Sequence, residues 1–140
     1  MIDSEGVLVR ERPGSLCFPT RVRHLLKDRD SWEQYYLPRL QFIPERITSC
    51  AVLTPTHVVP YQHGGLEYLQ RTDREYPLGL YCGSLIGQIR NWLGVEGLSY
   101  LIVDDPVLLD EIIDTAADLC YQCIEAVLRA GAHFDFGHYW

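Results

Sequence analysis

No surplus of basic residues and no long apolar run occur in these 140 residues. Lys and Arg number 12 against 19 Asp and Glu, a formal net charge of −7. Without a cationic face there is nothing to neutralise a string of phosphates, so nucleic acid is not an expected partner. No apolar stretch approaches the roughly 20 residues that span a bilayer, and the opening MIDSEGVLVRER lacks the apolar centre of a signal peptide. Neither a membrane partner nor export is expected, and the expected compartment is the cytoplasm. His24, His57, His63, His133 and His138 show no HxH, HExxH or HxC spacing. Such spacing marks a zinc site, so no metal and no cofactor is expected from the visible residues.

Cysteine is present but thinly spread, at Cys17, Cys50, Cys82, Cys120 and Cys123. An odd number without a secretory leader implies free thiols. Cys120 and Cys123 form a CxxC inside DLCYQCIEAVL, a helical and apolar setting, and are expected to act as two small core hydrophobes ahead of metal or redox chemistry. Repeats and low-complexity tracts are missing as well. The 47% hydrophobic and 22% charged residues are ordinary for about one folded domain.

Along the chain, GVLVRERPGSLCFP reads as two short strands around a Pro13-Gly14 turn. KDRDSWEQYYLPRLQF predicts a short helix capped by Asp30 or Ser31, carrying Trp32, Tyr35, Tyr36 and Leu40, and bent by Pro38. From Pro44 to Gly65 no period is sustained, which predicts loop with at most one strand at CAVL. LEYLQRTDRE follows as a surface helix. PLGLYC is a buried-strand candidate, and GSLIGQIRNWLG after it predicts a turn and a helix with Ser84 as N-cap and Leu85, Ile89 and Leu93 on one stripe. GLSYLIVDD adds another helical piece.

The firmest feature is a helix from about Pro106 to Ala130, with Asp105 as cap and Pro106 at its first position. Leu108, Ile112, Ala116, Cys120, Ile124 and Leu128 recur every fourth residue, and Gly131 is the natural stop. AHFDFGHYW then predicts a second strand. Strand, helical crossover and strand make a βαβ unit and imply a parallel sheet. Such a unit does not close a core alone, and a strand ending at Trp140 suggests a cut chain, prone to aggregate or to melt without cooperativity.

The run from PLGLYC to DFGHYW, with its CGSLIG turn, RNWLG, the LSYLIVDDP joint and the long helix, resembles the uroporphyrinogen decarboxylase-like family. SEGVLVRERPGS and KDRDSWEQY resemble the family's earlier hairpin and helix joint more loosely. The resemblance implies an α/β fold: part of a (β/α)8 TIM barrel with an N-terminal β-hairpin and a long crossover helix. Residues 1–76 would form an irregular N-terminal region and residues 77–140 a strand-helix-strand barrel unit. It also implies an active site at the carboxyl ends of the strands, a small-molecule substrate, and room for a homodimer in the intact protein. One branch of the family decarboxylates uroporphyrinogen acetates without metal or cofactor; the other moves methyl groups between a corrinoid and a zinc-activated thiol. The decarboxylases' arginine-bearing segment has no counterpart, since Arg21-Val22-Arg23 lacks the flanking glycine and tyrosine.

The candidate substrate-binding residues follow. Tyr81, Gly83 and Ser84 fall at a strand-to-helix turn, where backbone N–H groups face substrate, although a glycine and a serine there serve equally as turn and cap. Arg90 offers a guanidinium fork to a carboxylate, and Asn91 lies beside it, although a helix arginine is commonly solvated. His138 and Tyr139 stand near the carboxyl end of the last strand, where alternation sets Asp135, Gly137 and Tyr139 against Phe134, Phe136, His138 and Trp140. His138 is a candidate to act on a proton. The account from another class is a small binding module with Trp32, Tyr35, Tyr36 and Phe42 as a partner surface.

Overall fold

The computed structural model describes residues 1–10 and 20–139. The expected Pro13-Gly14 turn, Cys17 and Trp140 lie outside the described residues. The chain is mixed α/β and falls into two compact units: residues 1–40 with 85–116, and residues 41–84 with 117–140.

In the first unit, β1 (Val7–Arg10) pairs antiparallel with β2 (Thr20–His24), with a register shift between Leu8 and Val9; a hairpin is expected, but its second strand lies beyond the GVLVRERPGSLCFP segment read as holding both. The short helix α1 (Arg29–Ser31) starts at Asp28 rather than at Asp30 or Ser31. Asp28 Oδ1 accepts from the Ser31 backbone N–H at 2.9 Å, and the Ser31 hydroxyl accepts from the Asp28 backbone N–H at 3.0 Å. This reciprocal capping box satisfies the free donors of the first turn, so the cap falls two or three residues early. The helix loosens over Trp32–Tyr36 and ends in a tight turn at Leu37–Arg39, where Pro38 cannot continue the ladder.

The helix α4 (Ile86–Asp104) is interrupted at Gly94, whose φ of 73° and ψ of 167° only glycine adopts readily. The two helical pieces read from the sequence are the segments on either side of it. Ser84 does not cap this helix: the cap position is Leu85, with no side-chain hydrogen bond. Around α4 a core gathers, with Leu26, Trp32, Ile89, Leu108 and Ile112 almost wholly buried. Trp32 Nε1 donates to Glu111 Oε1 at 2.9 Å while Arg29 Nη1 donates to Glu111 Oε2 at 2.7 Å, so one carboxylate serves both the indole and the guanidinium.

The long helix α5 (Pro106–Arg129) is where the sequence put it. Asp105 Oδ1 accepts from the Leu108 backbone N–H at 2.9 Å, and Gly131 N–H donates back to Leu128 O at 3.0 Å. Its stripe drifts, however. Each four-residue step overshoots a full turn by about 40°, so a stripe begun at Leu108 has rotated by roughly 200° at Leu128. Leu128 is accordingly exposed, and Val127 is buried in its place.

The second unit corrects the loop reading of Pro44–Gly65. That stretch contains the helix α2 (Glu45–Thr48) and a hairpin of β3 (Ala51–Leu53) with β4 (Val58–Pro60), in the register Val52 opposite Val59. Thr54 stabilises the turn, its hydroxyl donating to His57 O at 2.8 Å and accepting from His57 N–H at 3.0 Å. Pro60 is the last residue of β4, and Tyr61 N–H just beyond it donates to Cys50 O at 2.9 Å. The helix α3 (Leu66–Gln70) follows, shorter than LEYLQRTDRE implied. Finally β5 (Gly79–Tyr81) and β6 (Phe136–His138) run parallel, with Gly79 opposite Phe136, Leu80 opposite Gly137 and Tyr81 opposite His138. The described strands form three two-stranded sheets, none of them closed into a barrel. Ile47, Val52, Leu69, Val127 and Ala132 form this unit's core. No helix among the described residues is long and apolar enough to cross a membrane.

Candidate functional site

Both ends of the β5–β6 pair are tied down by short polar contacts. At the entry, Asp135 Oδ2 accepts from Leu78 N–H at 2.7 Å, Asp135 N–H donates to Leu78 O at 2.8 Å, and the Arg74 guanidinium lies 3.5 Å from the same carboxylate. The Leu78 hydrogen bond, reinforced by Arg74, holds the Asp135 carboxyl below its usual pKa. At the carboxyl end, Cys82 N–H donates to His138 O at 2.8 Å, extending the ladder beyond Tyr81.

Beside β5 and past its carboxyl end lies a half-open cavity of about 550 Å³, within the range that holds a small ligand. Its wall is largely aliphatic, with Ile47, Val52, Leu69, Leu80, Ile124 and Val127 among the contributors. The polar groups on it are few: Arg46, the phenols of Tyr61 and Tyr81, and the thiols of Cys50, Cys82, Cys120 and Cys123. All four cysteines are free.

Burial raises the pKa of both Cys120 and Cys123. A neighbouring thiol adds to the rise at Cys120, while the Arg46 charge acts against it at Cys123. Both therefore remain neutral thiols at physiological pH, which is the wrong state for a nucleophile. Burial likewise raises the Tyr61 phenol, leaving it a hydroxyl donor and acceptor. Arg46 is the only charged side chain on this wall among the described residues, and its Nε donates to Gln41 O at 2.9 Å.

Gly83 closes the turn after β5 at a φ of +97°, and a Cβ built on it would stand 2.5 Å from Cys120 Sγ. A side chain is thus barred there by backbone strain and by contact alike.

The residues expected to bind substrate divide between the two units. Tyr81, Gly83, Ser84, His138 and Tyr139 belong to the second unit, Arg90 and Asn91 to the first. Tyr81 and Gly83 line the cavity. His138 faces Tyr81 across the strand pair, their ring centroids 6.2 Å apart, and Tyr139 is exposed at the end of β6. Ser84 is buried, and its Oγ has no hydrogen-bond partner among the described residues. Asn91 Oδ1 accepts a long hydrogen bond from Arg21 at 3.4 Å, and Arg90 is exposed on α4.

Compared with known protein families, curated proteins and solved structures, the chain has no match.

The sequence reading did not select Arg46 or Cys50 for this wall. It expected the CxxC pair to pack in a core, and Cys123 does pack against the second unit's core, while both partly buried thiols also border the cavity. The one available signal was the helical spacing of three residues, which sets both sulfurs on one face of α5. No described group of three or more His, Cys, Asp or Glu side chains is arranged to hold a metal ion.

Proposed function

We propose that the chain is part of a uroporphyrinogen decarboxylase-like (β/α)8 enzyme, acting in the cytoplasm on a small carboxylate-bearing substrate at the carboxyl ends of β5 and β6. The observation that carries this reading is the parallel register of β5 and β6 across a connection made of α4 and α5. Parallel neighbours need such a crossover, and barrel enzymes repeat it. Support also comes from the cavity, which opens where Tyr81, Cys82 and Gly83 leave the strand. In this reading Tyr81, Gly83, Ser84, His138 and Tyr139, all of the second unit, contact substrate. His138, beside Tyr81, is the residue suited to holding a proton.

The test is to read the coding frame past the Trp140 codon. Further strand-helix units are expected, and a His and Cys cluster among them would move the protein to the corrinoid-linked zinc methyltransferase branch. A stop codon at that point, together with a cooperative melt of the 140-residue chain, would overturn the barrel reading in favour of a small binding module.

A further inference from the structure

We infer that the cavity beside β5 binds a molecule with an apolar body and a single negative charge, such as an alkyl or aryl monocarboxylate, with Arg46 receiving the anionic group. The inference rests on the barrel reading only in treating the occupant as a substrate; the binding itself follows from the wall. A cavity of about 550 Å³ lined mainly by aliphatic side chains favours an apolar body. The neutral thiols add soft surface without charge, and a polyanion would leave most of its carboxylates facing Leu and Val.

One cation on such a wall selects one anion. Arg46 is anchored by its hydrogen bond to Gln41 O, and its charge is felt at the Cys123 thiol, which lines the same cavity. Arg46, a half-buried residue, is thus held beside the apolar wall, where its guanidinium offers a carboxylate a charge-assisted hydrogen bond.

Equilibrium dialysis of the 140-residue chain against decanoate and decanol at neutral pH tests this directly. The two probes share one apolar chain and differ in charge. Decanoate is expected to bind roughly tenfold or more tighter than decanol, the gain of one charge-assisted hydrogen bond. Arg46→Gln should bring the two affinities together while leaving decanol binding unchanged. Bound decanoate should also slow the modification of Cys120 and Cys123 by a disulfide reagent. Ile124→Trp, which fills the cavity, should abolish binding of both probes, and Arg46→Gln reports independently if the filled protein does not fold. Absence of binding, equal affinity for the two probes in the unsubstituted chain, or a preference that survives Arg46→Gln overturns the inference. None of these results bears on the reading frame beyond Trp140, so the two readings fail separately.

Discussion

At Gly83 two requirements coincide: a positive φ, and a sulfur where a Cβ would stand. Gly83→Ala is therefore expected to destabilise the protein by more than the roughly 1 kcal/mol that strained backbone alone costs. Replacing Cys120 by Ala in the same chain removes the obstructing sulfur but not the strain. A double-mutant cycle in urea should then show a coupling of about 0.5 kcal/mol or more between the two positions, and strict additivity would contradict the close approach. The thiols give a second prediction. Burial raises Cys120 and Cys123, so the folded state favours their protonated form. That contribution is complete below the ordinary thiol pKa of about 8.5 and is lost as pH climbs through the raised folded value. The urea midpoint should accordingly fall more steeply above about pH 8.5 in the unsubstituted chain than in a Cys120→Ser, Cys123→Ser variant.

Among the elements, α5 was legible because its signals are local. Asp105, Pro106 and Gly131 act within a turn of where they stand, and the apolar period runs through 24 residues. Asp105→Ala should cost about 1 kcal/mol, readable as a lower urea midpoint, because the Leu108 N–H loses its acceptor. The positions of the parallel strands were legible for a related reason, their apolar runs being bounded by Pro77 and Gly83 on one side of the crossover and by Gly131 on the other, but β5, expected to be buried, has Gly79 and Tyr81 exposed. The β3–β4 hairpin was not. Its strands are three residues each, too short to show alternation, and its prolines at 55 and 60 read as breakers although Pro60 merely ends a strand. The Asp28 cap was missed because Asp30 and Ser31 present the same chemistry a residue or two away, and only the reciprocal bond between Asp28 and Ser31 distinguishes them. The cavity is least legible of all. Its polar groups come from α2, from residues in or next to β3, β4 and β5, and from α5, and only tertiary pairing, β5 against β6 and β3 against β4, brings them to one wall.

For the whole molecule, the two units differ in how completely they bury their cores. The buried core residues of the first run from 0 to 8% exposure, with Trp32, Ile89 and Ile112 at 0% and Leu108 at 1%, while those of the second lie between 5 and 9%. The second also holds the half-open cavity, whose walls lack packing partners on one side. Resistance to local opening follows buried apolar contact, so native-state hydrogen exchange should separate the units. Amides of α4 and of the first half of α5 are expected to exchange slowest, near the global unfolding limit, and those of β3, β4, β5 and β6 faster, by sub-global opening. Substitutions should divide in the same way. Trp32→Ala removes a fully buried indole and its bond to Glu111, and should cost about 3–5 kcal/mol in global stability, lowering protection throughout the chain. Decanoate bound beside β5 should instead raise protection chiefly in β5, in α2 and around Cys120 and Cys123. Equal protection in the two units without ligand would show that the cavity does not weaken the one that contains it.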